Sequence, residues 1–333
     1  MTGNDPPGSP GRASPLAGRP LLMAGLGAAT ISSSAVLVTL SGASPVATAF
    51  YRSAIALPLL VLIAVFEQRR HGARPLAQRM RALMAGVFLA VDLILWTHAI
   101  ADLGAGVATV LGNLQVLIVA GVAWLIWHER PGRSFALALP VVMLGVVLVS
   151  GLVGKSAAGL HPVAGICYGL GTSIAYAGFL LSLRRSSAGS SHVAGPVADA
   201  TAGSAIASLA FGLVFGGLTL HPLWPAIGWL ALLALTSQTV GWMLITYALP
   251  RLPAAVSSLM LLLQPAASLA LAAIILGERP TALQLVGAAL TCGGALAASL
   301  AATRPARHDP AESPAPKPSL AAPGPAEPLP AET

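Results

Sequence analysis

Ionisable side chains are rare within the apolar stretches of this sequence, and Asp92 lies deepest among them. It is about eleven residues into its stretch, or ~16 Å along a helix that rises ~1.5 Å per residue. A charge in a membrane interior costs several kcal/mol unless it is paired or hydrated, so such a residue is a candidate for function. The Asp92 carboxylate can carry a proton, bind a cationic group of a solute, or form a structural pair.

Three further charged or titratable residues lie near the ends of apolar stretches. Arg52 and His98 are candidates for an ion pair or for coupling with Asp92. The Arg52 side chain can extend outward or reach inward, and we expect the outward orientation because it keeps the guanidinium in water. His98 follows Asp92 by six residues, which places it on another helix face, so we expect an interfacial histidine. Asp199 begins an apolar stretch, where it is expected to stabilise a helix N-terminus.

Uncharged polar side chains recur at one common depth, about ten to fourteen residues into the apolar stretches. They are Thr30, Ser32, Ser33, Gln115, Tyr176, Gln238 and Gln264. A side-chain amide at this depth needs a partner from another helix, from water or from a solute, because a helix satisfies only its own backbone. Interhelical hydrogen bonds, typically ~0.6 kcal/mol each, explain any single residue. The layer as a whole indicates a polar cavity.

Aromatic residues near this layer complete a candidate site for an organic solute. Trp96 shares a helix face with Asp92, four residues away, and Trp242 lies in the same stretch as Gln238. Aromatic walls with a few polar groups are typical of small-molecule sites. The predicted solute-binding residues are Asp92, Trp96, Gln115, Tyr176, Gln238, Trp242 and Gln264. We expect no catalytic residue, no metal site and no cofactor.

The composition indicates that apolar helices position these residues. Of 333 residues, 56% are hydrophobic and only 9% are charged, whereas about a quarter are charged in a soluble globule. Ten stretches approach the ~20 residues that cross ~30 Å of hydrocarbon. They cover residues 21–40, 47–66, 82–101, 105–127, 135–153, 162–183, 197–218, 226–249, 254–276 and 282–302. The sequence therefore predicts an all-α integral membrane protein with ten transmembrane helices.

The chain contains an internal repeat. Residues 103–131 align without a gap with residues 252–280, at an offset of 278 − 129 = 149. Each segment has a glutamine midway, Gln115 or Gln264, and each ends in Glu-Arg-Pro. Internal repeats in apolar sequences are typical of transporters built from two related halves.

The repeat divides the chain into two halves, residues 20–153 and 162–302, with five predicted spans in each. Because five is odd, the second half enters the membrane from the opposite side, and the halves are inverted. Pro265 follows the mid-span glutamine of the second half, whereas Val116 stands at that position in the first. The sequence therefore gives no basis for expecting spans four and nine to bend alike.

The net charge of +7 is distributed unevenly over the predicted loops. Of the 18 Lys and Arg residues, fifteen lie on loops or tails of one side, and only Lys155 and Arg279 lie on the other. The positive-inside rule then places both termini in the cytoplasm of a multi-pass plasma-membrane protein. No aromatic residues interleave with the basic ones, so a nucleic-acid partner is not expected. The Pro-rich segments 1–19 and 303–333 are predicted to be disordered cytoplasmic tails.

Several motifs carry a family resemblance. They are residues 106–111 (Gly-Val-Ala-Thr-Val-Leu), 127–131 (Trp-His-Glu-Arg-Pro), 252–259 (Leu-Pro-Ala-Ala-Val-Ser-Ser-Leu), 263–265 (Leu-Gln-Pro), 276–280 (Leu-Gly-Glu-Arg-Pro) and 50–53 (Phe-Tyr-Arg-Ser). Together they resemble the EamA domain of the drug/metabolite transporter superfamily. The resemblance implies two inverted five-helix EamA repeats. It also implies transport of amino acids, metabolites or drug-like compounds, with export more common than uptake.

We therefore expect a secondary transporter of small organic solutes that works by alternating access, with protons as a candidate coupling ion. The substrate, the direction and the oligomeric state are left open by the residues. ATP-driven transport is not expected, because the sequence has no Gly-x-x-x-x-Gly-Lys-Ser/Thr phosphate loop. Two alternatives are a membrane-embedded enzyme, which needs a nucleophile with its base or paired acids, and a membrane interaction protein that uses the Pro-rich tail.

Overall fold

The computed structural model of the chain describes residues 18–103, 105–129, 131–150, 161–219, 223–275, 277 and 279–302. All regular structure in these ranges is helical. The helices are α1 (Gly18–Ser41), α2 (Pro45–His71), α3 (Leu76–Leu103), α4 (Ala105–Asn113), α5 (Gln115–Trp127), α6 (Arg133–Val149), α7 (Pro162–Ser187), α8 (Ala194–Phe215), α9 (Ala226–Leu233), α10 (Trp242–Ala248), α11 (Ala254–Leu261), α12 (Leu263–Ile275) and α13 (Ala282–Ala302). Apart from residues 18 and 19, which begin α1, the predicted tails lie outside the described residues.

Eight helical stretches of the described chain are long and apolar enough to cross a membrane. They are Arg19–Ser41, Pro45–His71, Leu76–Ala99, Ala108–Trp127, Val163–Ser187, Ala194–Phe215, Ala226–Arg251 and Ala254–Ile275. Two shorter apolar helices, Arg133–Val149 and Ala282–Ala298, occupy the positions of predicted spans five and ten. A helix of 17 residues, such as α6, is ~26 Å long, slightly less than the hydrocarbon thickness. The predicted all-helical fold is confirmed, with eight candidate spans.

Predicted spans four and nine are each divided into two helices. The breaks are at Leu114, between α4 and α5, and at Leu262, between α11 and α12. At each break the backbone N–H bonds only three residues back, over 3.0 Å, to Leu111 or Leu259. Pro265 removes an N–H from the turn after the second break, but the first half breaks without a proline. The breaks are 262 − 114 = 148 residues apart, so both halves bend near equivalent positions.

Predicted span eight contains a π-helical segment, Ala234–Gly241, between α9 and α10. Within it, the Thr239 hydroxyl donates to the Ala234 carbonyl, five residues back, over 2.9 Å. Such segments are rare in proteins overall, but those that occur often lie at functional sites, because the inserted residue redirects the side chains around it. Gln238 lies in this segment and is fully buried.

Helices of the two halves pack directly against each other. Helix α3 of the first half packs along α7 and α8 of the second, while α1 packs along α9, the π-helical segment, α10 and α12. Helix α2 packs against α8, and α6 packs against α13. The polar layer predicted from sequence therefore lies where helices from both halves meet.

Two glycines permit the close crossing of α3 and α8. A Cβ on Gly86 would overlap the carbonyl of Ala200, and a Cβ on Gly203 would overlap the carbonyl of Leu83. Small residues at helix crossings let two backbones approach closely within a membrane. This crossing fixes the position of α3, which carries Asp92, relative to α8.

Candidate functional site

A chain of hydrogen bonds joins three buried side chains from both halves. The Arg52 Nε donates to the Gln238 Oε1 over 3.0 Å, and the Gln238 Nε2 donates to the Thr201 hydroxyl over 2.9 Å. Arg52 is 5% exposed, Gln238 is 1% exposed and Thr201 is fully buried. The amide of Gln238 therefore connects α2 of the first half to α8 of the second.

Arg52 and Thr201 are equivalent positions of the internal repeat, since 52 + 149 = 201. The helices that carry them, α2 and α8, also begin 149 residues apart. Gln238 has Leu89 at its own equivalent position, so the bridge is made only once. The repeat brings two equivalent helices together, and one glutamine without an equivalent links them.

Asp92 on α3 is buried, at 7% exposure, and receives no hydrogen bond from the described residues. The positive charge of Arg52 attracts its carboxylate, but the ion pairs formed in the described part of the chain join other side chains. Within that part, Arg52 donates only from its Nε, so its two terminal nitrogens are also without a protein acceptor. Opposite charges with unused hydrogen-bonding capacity therefore lie on the neighbouring helices α2 and α3.

Three aromatic rings form one wall beside these charges. The Tyr176 ring stacks on Phe179 with centroids 6.3 Å apart, and Phe179 meets Trp242 edge to face at 4.6 Å. The Gln264 Nε2 donates to the Tyr176 hydroxyl over 3.3 Å. Tyr176 lies on α7, which packs along α3, the helix that carries Asp92. The rings can cover the carbon skeleton of an organic molecule.

The two mid-span glutamines of the repeat have different surroundings. Gln264 is half-buried and bonded to Tyr176, whereas Gln115 is fully buried with both amide atoms unpaired among the described residues. Gln115 is the first residue of α5, directly after the break at Leu114. The two glutamines therefore have no common hydrogen-bond network among the described residues.

Two predicted residues lie away from this network. His98 is exposed, and its ring lies 5.3 Å from that of Tyr168. Trp96 is half-buried on α3, and no hydrogen bond or ring contact links it to Arg52 within the described residues. The structure thus brings Arg52, Asp92, Tyr176, Gln238, Trp242 and Gln264 into one region.

The remaining polar residues of the predicted layer support helix packing. The hydroxyls of Thr30 and Ser32 donate to carbonyls of α1 itself, four residues back. Ser33 lies 3.4 Å from the Thr236 hydroxyl of the π-helical segment, and the Ser268 hydroxyl donates to the Ser32 carbonyl over 3.0 Å. These contacts join α1 of the first half to two helices of the second.

The expected outward orientation of Arg52 is wrong. Its side chain is buried, because the Gln238 carbonyl and the Asp92 charge compensate for part of its lost hydration. Thr201 and Phe179 also belong to this region, although neither is among the residues predicted from the sequence. Phe179 follows Tyr176 by three residues, and that spacing on a helix indicates a shared face. No sequence pattern around Thr201 indicates a role in the site, and its only indication is its equivalence to Arg52 in the internal repeat.

The expected role of Asp199 at a helix N-terminus is also wrong. Helix α8 begins at Ala194, so Asp199 lies in its second turn, where the carboxylate lies 2.7 Å from the Arg74 Nη1 and 3.6 Å from the Arg79 Nε. The Glu67 carboxylate of α2 instead binds that helix start. It accepts from the N–H groups of residues 193 and 195, over 2.8 and 3.0 Å.

A second ion pair joins the halves at other helix ends. The Arg184 Nη2 lies 2.8 Å from the Glu129 Oε1, and Arg184 also donates to the carbonyls of Leu249 and Leu252, each over 3.2 Å. The second Glu129 oxygen accepts from the Ala254 N–H over 3.1 Å. These bonds connect the end of α5 to α7 and to the start of α11. Each Glu-Arg-Pro turn has one charged residue outside the described residues, which is Arg130 in the first turn and Glu278 in the second.

Comparison with known proteins agrees with this architecture. No curated protein matches the sequence. A solved structure described only as "Crystal structure of protein" has a TM-score of 0.72 at 16% identity, covering 85% of this chain and 97% of its own, which supports the fold alone. The family model described as "EamA-like transporter family" matches residues 19–151 and 163–300, one match for each half. The chain therefore belongs to the EamA-like transporter family, within the drug/metabolite transporter superfamily, and is a multi-pass membrane transporter.

Proposed function

We propose that the protein is a secondary active transporter that moves small organic solutes across the plasma membrane by alternating access. The observation that carries this proposal is the buried Asp92 carboxylate, which has no hydrogen-bond partner among the described residues and lies near the Arg52 charge. A carboxylate in that position is stabilised when it takes up a positive charge, from a proton or from a cationic group of a solute. Secondary transporters bind their substrates at such interfaces between inverted repeats.

The site suits a small solute with both polar and apolar parts. The free terminal nitrogens of Arg52 can bind an acceptor group, such as a carboxylate, and Asp92 can bind a positive group. The wall of Tyr176, Phe179 and Trp242 can cover the carbon skeleton. Amino acids, other metabolites and drug-like compounds have these features. We include Trp96, Gln115, Gln238 and Gln264 among the residues that line the solute's path or hold the binding residues in place.

The proposed topology has ten spans, with α6 and α13 as spans five and ten, and both termini in the cytoplasm. On that topology the three ion pairs that join the halves in the described residues lie at the cytoplasmic end, where they would hold the bundle closed. They are Arg74–Asp199, Arg79–Asp199 and Glu129–Arg184. The repeat equivalents of Arg74 and Asp199 are Leu223 and Phe50, so this pair has no counterpart at the other end. Closure of the outer end would therefore depend on other contacts, such as the hydrogen bond from the Gln284 Nε2 to the Val149 carbonyl. The family resemblance favours export.

A transport measurement in proteoliposomes tests the proposal. A mixture of metabolites is presented to the purified protein, and solutes that move are identified by mass spectrometry. Asp92→Asn is expected to abolish accumulation driven by a pH gradient, while Asp102→Asn on the same helix leaves it intact. If solute exchange without a gradient persists in Asp92→Asn, the positive charge that Asp92 takes up is a proton. If exchange is also lost, the solute supplies that positive charge. Gradient-driven transport that survives in Asp92→Asn would contradict the proposal.

A further inference from the structure

A second charged region lies away from the solute site, between α2, α8 and the turn that joins α2 to α3. A cavity of about 150 Å³ opens there. Its lining includes Val61, Val65, Arg74, Arg79, His192 and Asp199. One wall is therefore apolar and the other carries two guanidinium groups.

Arg74 has unused donors in this cavity. Its side chain is only 6% exposed, and one nitrogen, Nη1, is paired with Asp199. The other two nitrogens, Nε and Nη2, have no hydrogen-bond partner among the described residues. Burial lowers the pKa of Arg74, and the Asp199 carboxylate opposes this effect. An anion at the free nitrogens would further stabilise the charged guanidinium.

Arg79 supplies a second, accessible positive charge. Its side chain is 54% exposed and its Nε lies 3.6 Å from Asp199. The other polar groups nearby are already engaged, apart from the neutral side-chain amide of Gln68, which is exposed and also lines the cavity. The Glu67 carboxylate binds the backbone at the start of α8, and the two ring nitrogens of His192 lie within hydrogen-bond distance of Ser190 and the Gly72 carbonyl. The charged groups with unused hydrogen-bond donors in the cavity are therefore cationic.

The surrounding sequence is strongly basic. Residues 67–81 contain five arginines and one acidic residue, Glu67, so more than a quarter of the chain's 18 Lys and Arg lie in fifteen residues. Basic pockets between transmembrane helices on the cytoplasmic side are suited to anionic lipid headgroups. Val61 and Val65 on α2 are 45% and 41% exposed and lie within a helix that is long and apolar enough to cross a membrane. An occupant must therefore have a negative headgroup and an apolar chain.

We propose that this cleft binds the phosphate of an anionic membrane lipid between Arg74 and Arg79, with an acyl chain along Val61 and Val65. Charge complementarity and the apolar wall favour a lipid over a free phosphate ion, which would use only the two arginines. The bound phosphate would also offset the repulsion between the two guanidinium groups. The lipid site is separate from the solute site, and its test does not require transport.

Thermal unfolding of the full-length protein in detergent tests the proposal, with phosphatidylglycerol, phosphatidylcholine or inorganic phosphate added in separate titrations. Phosphatidylglycerol is expected to raise the unfolding temperature, and phosphatidylcholine and inorganic phosphate are not. Arg79→Gln should weaken the apparent phosphatidylglycerol affinity about fivefold, as expected for one basic residue near a membrane surface. Arg251→Gln is the matched control, because Arg251 is an exposed arginine that stacks on Tyr247 at 4.0 Å, outside the cleft.

A second variant and a second readout keep the test decisive. Arg74→Gln should weaken lipid binding at least as much as Arg79→Gln, and where it lowers the yield of folded protein, the Arg79 series alone decides. Native mass spectrometry of the wild type should show phosphatidylglycerol retained in preference to phosphatidylcholine. Equal weakening by Arg79→Gln and Arg251→Gln would overturn the proposal in favour of general surface charge. An equal stabilisation by inorganic phosphate would overturn the lipid as occupant in favour of a free anion.

Discussion

Arg52 and Gln238 are joined by a hydrogen bond of 3.0 Å between the guanidinium Nε and the side-chain Oε1, and neither residue is more than 5% exposed. The bond links α2 of the first half to the π-helical segment of the second. A buried guanidinium is stable only while its acceptors are present, because an unpaired buried charge is strongly unfavourable. The stability of the bundle and the geometry of the proposed solute site therefore depend on the same two residues.

Replacement of Gln238 tests this link. Gln238→Leu removes the acceptor of Arg52 and the donor to Thr201, so we expect a loss of about 2–3 kcal/mol in the free energy of unfolding. Gln238→Glu retains an acceptor for Arg52 and should lose less. The measurement is thermal unfolding in detergent, with Gln68→Leu at an exposed position of α2 as the control. A Gln238→Leu protein as stable as the wild type would show that groups other than Gln238 stabilise the buried charge of Arg52.

The crossing of α3 and α8 predicts a strong effect of side-chain size at Gly203. A Cβ there would overlap the backbone carbonyl of Leu83, which cannot move independently of α3. Gly203→Ala should destabilise the protein by about 1–3 kcal/mol, the usual range for overpacking. Gly293→Ala on α13, where nothing lies within 4 Å of the added Cβ, should be close to neutral. Similar unfolding temperatures for the two variants would contradict the described crossing.

The ion pair between Glu129 and Arg184 is expected to hold one end of the bundle closed. Ser257 is 6% exposed and lines a small cavity together with Arg184, so a cysteine at position 257 can report opening. In a background without Cys167 and Cys292, Arg184→Gln should raise the rate of maleimide labelling about fivefold, equivalent to the ~1 kcal/mol of a partly exposed ion pair. Arg185→Gln, at the exposed neighbouring residue, should leave the rate unchanged. An unchanged labelling rate in Arg184→Gln would show that the Glu129–Arg184 ion pair does not hold this end of the bundle closed.

The two mid-span glutamines should respond differently to the same substitution. Gln115 has no hydrogen-bond partner among the described residues, so Gln115→Leu removes an unfavourable buried amide and should leave thermal stability unchanged or higher. Gln264→Leu removes the bond to the Tyr176 hydroxyl and should weaken solute-dependent stabilisation. A matched pair of unfolding curves with and without solute distinguishes them. Equal destabilisation by both would show that Gln115 is paired in the folded protein.

The sequence was sufficient for the class of fold and the family. Composition predicted apolar helices, and the offset of 149 residues predicted two related halves, which the two family matches confirm. Depth along each span also placed Tyr176, Gln238 and Gln264 at one level, because a helix rises uniformly. Depth does not give the direction of a side chain around its helix axis. For that reason the sequence alone favours an outward orientation for Arg52 and does not identify Thr201 as a residue of the site.

Local irregularities were the other features that the sequence could not supply. The break at Leu114 has no proline or glycine at the bend itself. The π-helical segment at 234–241 contains four consecutive polar residues, 236–239, but polar residues alone do not predict a π-helix. Both lie where helices of the two halves pack against each other, and that packing depends on residues far apart in the chain. The ion pairs of Asp199 have the same origin, since Arg74 lies 125 residues away.

The most direct test of the proposed mechanism is solute exchange in proteoliposomes, measured for wild type, Asp92→Asn, Arg52→Gln and the control Asp102→Asn under a pH gradient and without one. The proposal predicts that wild type and Asp102→Asn accumulate an organic solute against its gradient. It predicts that Asp92→Asn and Arg52→Gln, once shown to be folded, lose this accumulation by at least an order of magnitude, or ~1.4 kcal/mol. Accumulation at the wild-type rate in both variants would contradict a solute site between Arg52 and Asp92.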